Sequence, residues 1–353
     1  MTISVWADVG GTFTDCIVND ESRRYHTKVL SSGVIRARFE ETVSENSIRV
    51  SELAGQDLQG FWDHATIAIL DPDGNPRPLG KITSHDHDIL AFADTPLSEL
   101  SNRSRNDRSS AASTMEAFAE LRQGAMLEIR TGLEAPVLAT RLLLGIPPSD
   151  SLPALDVRLG TTRGTNALLT RSGVRTAVLV TRGFADLLRI GEQDRPELFS
   201  LAINKTEPLT DRVLEINGRL DACGSVIEDM DTDSVTEVLS ALKLEGIESL
   251  AICLMHSHIN NEHELLVEKL AVQTGFTNIS RSSEVAPLIK YVARTETTVL
   301  DAYLNPILSG YVQRVWHQFG GSSKCRFRLM TSNGTLVAPA AFRGRDSILS
   351  GPA

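Results

Sequence analysis

Cysteine is scarce in this chain of 353 residues. The four cysteines lie far apart and form no CxxC pair; they are Cys16, Cys223, Cys253 and Cys325. That spacing is typical of neither a disulfide framework nor a zinc knuckle. We therefore expect reduced thiols, most of them buried.

The sequence also lacks an excess of positive charge and any long apolar run. Its 35 Lys and Arg residues against 45 Asp and Glu residues give a formal net charge of −10. Nucleic acids and anionic membranes attract clustered positive charge, so neither is expected as a partner. The N-terminus has no basic region or apolar region typical of a signal peptide, and no run approaches membrane-spanning length. The composition therefore predicts a soluble, cytoplasmic protein.

Aromatic residues are few, at 5%, but 41% of the residues are hydrophobic, so the chain can bury a core. At this length two domains, or one domain and a lobe of a second, are expected. Residues from about 33 to 125 predict a small β-rich insertion that contains a strand over Thr66–Leu70. Strands and helices then alternate, and the continuous apolar run Thr176–Val180 is typical of a buried parallel strand. The pattern predicts an α/β fold.

Caps and helix breakers predict where several helices end. We expect a short helix over Asn166–Arg171 that Gly173 ends. Asp233 is expected to cap the helix that follows it. The long helical stretch Ile289–Phe319 should be interrupted at Pro306.

The most informative segment lies in the turn between the first two predicted strands and reads Asp8-Val9-Gly10-Gly11-Thr12-Phe13-Thr14-Asp15. Two glycines let the backbone turn tightly and bring its N–H groups close to an anion. Thr12 and Thr14 add hydroxyl donors on the same side of the turn. Asp8 can hold a hydrated Mg²⁺ that offsets phosphate charge, or orient a water, and Asp15 can do the same or cap the turn.

A plain Gly-Gly hairpin with solvent-facing Thr and Asp side chains is the simpler interpretation of this segment. Two common phosphate motifs do not fit it. The sequence contains no GxxxxGK[ST] motif, and the glycine spacing differs from that of a Rossmann fingerprint, with a strand rather than a helix following. The complete octet favours a phosphate site over the plain hairpin.

A second candidate site lies between a strand and a helix, over residues 160–166. Ligands of open α/β sheets collect at such an edge, and a helix N-terminus favours an anion. Thr161, Thr162 and Asn166 are therefore candidates to hold a substrate carboxylate or a transferring phosphoryl group. The alternative is a plain strand-to-helix connection with Thr165 as the cap.

Other polar side chains give weaker indications. Arg195 follows the next strand and can bind a carboxylate, although loop arginines are usually only solvated. A metal site at His256, His258 and His263 is conceivable, since His-x-His on a strand directs both imidazoles to one face. Capping and packing explain these histidines better than a metal does. Residues 85–88 also contain histidine and aspartate, but their composition is typical of a turn. No metal is therefore assigned to either group of residues.

DVGGTFTD after an N-terminal strand resembles the first phosphate motif of the actin-like ATPase superfamily, and specifically that of the hydantoinase A/5-oxoprolinase family. The segment Arg158–Leu201 is similar to the most distinctive block of that family, and LMHSHINNEHE, ARTETTVLDAYLNP, MTSNGTLV and LSGPA follow in order. The resemblance implies an actin-like (ribonuclease H-like) α/β lobe with a mixed sheet. It also implies a hydantoinase/oxoprolinase N-terminal domain over 1–200 and the start of a hydantoinase A domain over 201–353.

Members of this family open cyclic amides such as 5-oxoproline with ATP, and relatives carboxylate ketones. The resemblance implies that the γ-phosphoryl group passes to the lactam oxygen, which gives an imidate phosphate that water attacks. The favoured reaction is the conversion of 5-oxo-L-proline to L-glutamate, a step of glutathione metabolism. The resemblance implies that the ATP phosphates are bound by Gly10, Gly11, Thr12 and Thr14. It also implies that Asp8 and Asp15 hold Mg²⁺ or orient the attacking group.

Two other functions stay open. An N-methylhydantoinase or an ATP-dependent ketone carboxylase subunit shares these motifs, and a non-catalytic actin-like assembly partner is the other possibility. Family members pair with a hydantoinase B-like subunit or a fused C-terminal domain, so a protein partner is implied. The family also has a second motif resembling DMGGTSTD after its SGPAGG segment, whereas this chain stops at Ala353. We therefore expect the N-terminal part of a longer chain, with weak ATP binding by itself.

Overall fold

The computed structural model describes residues 3–20, 23–55, 57–93, 121–193, 199, 201, 205–210 and 212–348. The described residues form two compact units. The first consists of residues up to 161 with 313–330 and 336–339, and the second of 162–312, 331–335 and residues from 340 onward. These two units are defined by contacts within the structure and do not test the predicted family domains over 1–200 and 201–353, which stay a prediction. Within the described ranges, no helix has the length and apolar character that a membrane span requires.

In the described ranges up to residue 161, the structure contains ten strands and one helix. They are β1 (Ile3–Val9), β2 (Phe13–Asp20), β3 (Arg23–Leu30), β4 (Val34–Ser44), β5 (Ser47–Ser51), β6 (Thr66–Leu70), β7 (Pro76–Asp86), β8 (Ile89–Phe92), β9 (Met126–Arg130), α1 (Ala135–Leu144) and β10 (Leu155–Thr161).

The remaining part of the chain alternates helices and strands more regularly. Its elements are α2 (Arg163–Leu169), β11 (Thr176–Thr181), α3 (Leu187–Ile190), β12 (Val213–Ile216), β13 (Arg219–Leu220), β14 (Val226–Glu228), α4 (Thr232–Leu244), β15 (Ser249–Cys253), α5 (Glu262–Gln273), β16 (Asn278–Arg281), α6 (Ser282–Val285), α7 (Tyr291–Gln318), β17 (Cys325–Met330) and β18 (Leu336–Val337).

A six-stranded mixed sheet forms the centre of the first unit, in the order β18-β17-β10-β1-β2-β3. β1 is parallel to β10 and antiparallel to β2. Along β1 the side chains of Val5, Ala7 and Val9 are buried, and the residues between them are exposed. This period of two places one face of the strand against α1 and leaves the other face open.

The predicted β-rich insertion is confirmed, and its strands form a closed barrel in the order β4-β5-β8-β7-β6-β9. Closure depends on β9, which pairs with both β4 and β6. The barrel interior is filled by buried side chains such as Phe39, Ile48, Leu90 and Ile129. Closure removes the open strand edges that a flat sheet of this size would expose.

The second unit contains a four-stranded parallel sheet in the order β12-β11-β15-β16. Every residue of β11 and of β15 is buried, as the apolar run at Thr176–Val180 predicted. α4 and α5 pack on this sheet through Val235, Leu239 and Val267. A parallel sheet covered by helices explains why its strands are apolar throughout instead of alternating.

Two predicted features of the later helices are wrong. α4 begins after Asp231, whose carboxylate accepts a hydrogen bond from the Ser234 N–H at 3.1 Å, so Asp233 is not the cap. α7 continues through Pro306 without interruption. A proline removes one N–H donor, and the buried side chains on both sides of Pro306 hold the helix together across that loss.

α2 lies earlier in the chain than the predicted Asn166–Arg171. Arg171 has a φ of 54° and is outside the helix, in the left-handed region. Gly173 does not end the helix. It is required for packing, since a Cβ there would lie 2.1 Å from the ring of Tyr303.

Candidate functional site

The β1–β2 hairpin carries the Asp8 to Asp15 segment at one end of the first sheet. Asp8 pairs with Asp15, and Val9 pairs with Thr14, in antiparallel register. A hydrogen bond of 3.0 Å from the Gly10 N–H to the Phe13 carbonyl closes the turn. Gly11 and Thr12 at the tip are exposed, so a ligand can reach their polar groups.

Glycine at position 10 is required by a close approach of the two arms. A Cβ at Gly10 would lie 2.9 Å from the Phe13 carbonyl oxygen, nearer than real Cβ atoms come. Neither Gly10 nor Gly11 has a positive φ, so left-handed backbone is not the reason for either glycine. A larger residue at position 10 would therefore push the turn open.

Ser31 ties the hairpin tip to the end of β3. Its hydroxyl donates to the Gly10 carbonyl at 2.8 Å, and its N–H donates to the Thr12 carbonyl at 2.9 Å. The same hydroxyl lies 3.0 Å from that of Thr14. Sequence reasoning missed Ser31, although the β2–β3 register, which pairs Phe13 with Leu30, places the next residue beside the turn.

The two threonines of the motif have different surroundings. Thr14 is fully buried, and its hydroxyl has the Ser31 hydroxyl as its neighbour. Thr12 is exposed at the tip. Thr12 is thus the threonine that a ligand reaches directly, whereas Thr14 lies behind the turn, and the predicted phosphate role of each stays a prediction.

Two carboxylates face each other across the exposed side of the hairpin. Partial loss of hydration, and then the neighbouring Asp15 carboxylate, raise the pKa of Asp8. Asp15 itself is paired with the Lys28 Nζ at 3.0 Å and lies 3.3 Å from the His26 Nε2. The Lys28 side chain on β3 therefore partly offsets the charge of Asp15. Asp8 is the carboxylate that a bound cation would stabilise more.

β10 places Gly160 and Thr161, the first two residues of the second candidate segment, beside the hairpin strand. In the parallel register Asp8 pairs with Gly160, and Val9 pairs with Thr161. The carboxyl ends of β1 and β10 therefore meet at the same edge of the sheet. Thr161 is buried, with 1% of its surface exposed.

Thr162 and Asn166 belong to the second unit, at the start of α2. Thr162 is the N-cap residue, and its carbonyl accepts a hydrogen bond from the Asn166 N–H at 2.8 Å. The Asn166 amide Nδ2 also lies 3.4 Å from the Thr162 hydroxyl. Thr165, the alternative cap, donates its hydroxyl hydrogen to the Ile348 carbonyl instead.

Of two arginines near the candidate segments, Arg195 and Arg163, the structure describes only Arg163. Arg195 lies outside the described residues, so its carboxylate role stays a prediction. Arg163, in α2, stacks on the Tyr311 ring with its guanidinium carbon 4.0 Å from the ring centroid. Among the described residues, no cluster of three or more His, Cys, Asp or Glu side chains is placed to hold a metal ion.

Comparison with known families agrees with the sequence motifs. A model described as the hydantoinase/oxoprolinase N-terminal region matches residues 148–275, and a model described as hydantoinase/oxoprolinase matches residues 294–353. The chain belongs to the hydantoinase/oxoprolinase family. The predicted family is thereby confirmed.

Curated relatives of this hydantoinase/oxoprolinase chain include two named 5-oxoprolinases. The Saccharomyces cerevisiae enzyme is 35% identical over 256 residues, and Arabidopsis thaliana 5-oxoprolinase 1 is 36% identical over 249 residues. Each match covers 62% of this chain and 20% of the relative. Caprolactamase subunit alpha of Pseudomonas jessenii is 29% identical over 240 residues, which cover 64% of this chain and 33% of that subunit. The chain thus spans about one fifth of the length of the two 5-oxoprolinases.

Two solved structures share the fold of the chain. Nucleotide-free acetone carboxylase superposes with a TM-score of 0.61 at 17% identity, over 99% of this chain and 39% of that one. The ATP-dependent caprolactamase from Pseudomonas jessenii superposes with a TM-score of 0.56 at 20% identity, over 99% of this chain and 38% of the caprolactamase chain. The likeness confirms the predicted mixed α/β fold.

Proposed function

We propose that this chain supplies the first phosphate-binding hairpin of an ATP-dependent cyclic amide hydrolase, with 5-oxo-L-proline as the substrate. The observation that carries the proposal is the hairpin itself: an exposed Gly11-Thr12 tip next to the carboxylate of Asp8, for which the described part of the chain contains no ion-pair partner. The names of the 5-oxoprolinase relatives support the substrate, and the named caprolactamase subunit supports cyclic amides as a class.

In this proposal the turn of the hairpin binds the ATP phosphates. Gly10 and Gly11 allow phosphate oxygens to approach the backbone, and the Thr12 hydroxyl donates to one of them. Thr14 contributes from behind by fixing the turn together with Ser31. Bound ATP would supply a phosphoryl group to the lactam oxygen, which would activate the carbonyl carbon for attack by water and for cleavage of the ring C–N bond, with the nitrogen taking up a proton.

Magnesium suits the donor set at Asp8. Mg²⁺ prefers carboxylate oxygens and keeps several waters, and Asp8 offers an exposed carboxylate facing that of Asp15. Partial burial and then repulsion by Asp15 raise the pKa of Asp8, and a divalent cation held there, directly or through water, would relieve that repulsion. Asp15, paired with Lys28, would orient the attacking group or keep Asp8 in place.

The substrate would be held by Thr161, Thr162, Asn166 and Arg195. Hydroxyl, amide and guanidinium groups can donate hydrogen bonds to oxygen acceptors such as the lactam oxygen of 5-oxo-L-proline. A hydantoinase B-like subunit, or a C-terminal domain fused in longer relatives, would complete the enzyme. We place the reaction in the cytoplasm.

Calorimetric titration of the chain with Mg·ATP tests the hairpin. Asp8→Asn and Gly10→Ala should each weaken binding by about tenfold or more, since one removes the cation ligand and the other opens the turn. Asp73→Asn, an exposed carboxylate in the barrel turn, is the matched control and should bind as the wild type does. Equal affinity in all four proteins would refute the assignment of the hairpin.

Turnover tests the substrate separately. ATP hydrolysis is measured with 5-oxo-L-proline, hydantoins, and small ketones with bicarbonate, each with and without an added B-type partner. Stimulation by 5-oxo-L-proline supports the proposal. Stimulation by a ketone with bicarbonate instead would contradict the substrate while leaving the hairpin assignment standing.

A further inference from the structure

The parallel sheet of the second unit contains a point where its connections diverge. β11 and β15 are neighbours in this sheet, and all its strand pairs are parallel. The chain leaves β11 for β12 on one side and leaves β15 for β16 on the other. Ligands of open parallel sheets bind at the carboxyl ends of strands where the order reverses in this way.

The ends of the two strands are fixed to each other and to α7. The Met255 N–H, just after β15, donates to the Thr181 hydroxyl at the end of β11, at 3.0 Å. The Tyr291 hydroxyl donates to the Cys253 carbonyl at 2.7 Å and lies 3.4 Å from the Thr181 N. The loop after β15 is therefore held rigidly where a ligand would arrive.

Two buried charged side chains, Arg294 and Glu264, lie directly behind this loop. Arg294 is 1% exposed and donates to the Leu254 and Leu288 carbonyls, each at 2.7 Å. Glu264 is fully buried and accepts from the Leu254 N–H at 3.0 Å and the Ser282 hydroxyl at 2.6 Å. Burying such charges is costly, and these bonds offset the cost while fixing the guanidinium in one place.

Arg294 also fixes the protonation of His258. Its Nη1 lies 3.1 Å from the His258 Nδ1, and a guanidinium only donates hydrogen bonds. The Nδ1 must therefore accept, which places the hydrogen of the neutral ring on Nε2. Partial burial, then Arg294 and His256, lower the pKa of His258, so the ring is neutral near pH 7.

The Nε2 of His258 has no partner among the described residues, and the ring is half-buried. His256 lies beside it with the ring centroids 6.2 Å apart. The backbone of His256 has a φ of 62°, in the region that favours glycine. Strain of this kind persists where the surrounding structure requires it, and it collects at functional sites.

We propose that the His258 Nε2–H, backed by Arg294 at the carboxyl ends of β11 and β15, binds the carboxylate of a small organic acid. A polarised N–H donor selects an oxygen acceptor, and the guanidinium behind the ring opposes a metal cation at the same imidazole. Arg219, 3.7 Å from the Met255 sulfur, brings a second guanidinium to this loop. Asp221 faces His256 instead, with its carboxylate held by the Cys223 and Ser225 N–H groups.

Long-range ¹H–¹⁵N spectra of the histidine-labelled chain test the site without nucleotide. His258 should carry its hydrogen on Nε2. The acid used is 5-oxo-L-proline, a choice that rests on the proposed function, and it should shift the His258 signals saturably. The parallel titrations use 2-pyrrolidinone, which lacks the carboxylate, and inorganic phosphate. Each should bind at least about tenfold more weakly. A hydrogen on Nδ1, no saturable shift, or equal binding of either of these two probes would overturn the inference.

Two substitutions separate the role of the His258 Nε2, the proposed donor to the ligand, from that of the Nδ1, which accepts from Arg294. His258→Asn keeps an acceptor near the Nδ1 position for Arg294 but loses the outward donor, so it should fold and lose at least about tenfold in 5-oxo-L-proline affinity. His258→Gln keeps a donor near the Nε2 position and should retain most of the affinity. Wild-type affinity in His258→Asn would overturn the inference. Because no ATP is present, that failure would leave the hairpin proposal intact.

Discussion

Ser31→Ala tests whether the hairpin turn is held by the end of β3. The substitution removes the donor to the Gly10 carbonyl and the neighbour of the fully buried Thr14 hydroxyl. Leaving a buried polar group without a partner costs about 1–3 kcal/mol. We therefore expect the free energy of unfolding of the first unit to fall by about that amount, with weaker Mg·ATP binding as a consequence.

Tryptophan fluorescence during urea unfolding measures this loss in the correct unit. The three tryptophans, Trp6, Trp62 and Trp316, all belong to the first unit. Ser32→Ala is the matched control, since Ser32 is the next residue and is exposed. If Ser31→Ala unfolds at the same urea concentration as wild type and Ser32→Ala, the Ser31 side chain does not stabilise the turn. A double substitution with Thr14→Val should cost less than the sum of the two single changes.

Two further predictions concern titratable groups. Because partial burial and Asp15 raise the pKa of Asp8, the folded chain binds that proton more readily than the unfolded chain does. The free energy of unfolding should therefore fall as the pH rises from the ordinary pKa of Asp to the raised value, and Asp8→Asn should reduce this fall in urea titrations; an identical fall in both proteins would contradict the argument. Cys223 is exposed, whereas burial raises the pKa of Cys16 to about 11 and that of Cys325 to about 12. Iodoacetamide followed by mass spectrometry should therefore find Cys223 modified well before the other thiols in the native chain, and equal modification of Cys16 would be the opposite result.

Local patterns predicted the parts of the fold that depend on neighbouring residues. The strand Thr66–Leu70 and the buried run at Thr176–Val180 are found where expected, because apolar periodicity is set within a few residues. Barrel closure could not be predicted. It depends on β9 pairing with two strands that are distant in sequence, and no local pattern encodes that pairing. The helix cap at Asp231 was missed because Asp233, two residues later, has the same chemistry.

The candidate sites divide in the same way. The DVGGTFTD hairpin is a local motif, so its turn and its two aspartates were predicted from eight adjacent residues. Ser31 and Lys28 reach it only through the β2–β3 register. The contact between Arg294 and His258 joins residues 36 positions apart, and the histidines alone gave only a weak indication of a metal.

Because side chains alternate along a strand, the polar groups of the hairpin lie on two different faces of the sheet and have different roles. Asp8, Asp15 and Lys28 project from the open side, where a phosphate or a cation can reach them. Thr14 and Ser31 lie on the buried side, where their hydroxyls hold the turn in place. Substitutions on the open side should therefore change ligand binding with little loss of stability. Substitutions on the buried side should lower both together, since an anion site built from backbone N–H groups depends on the shape of its turn.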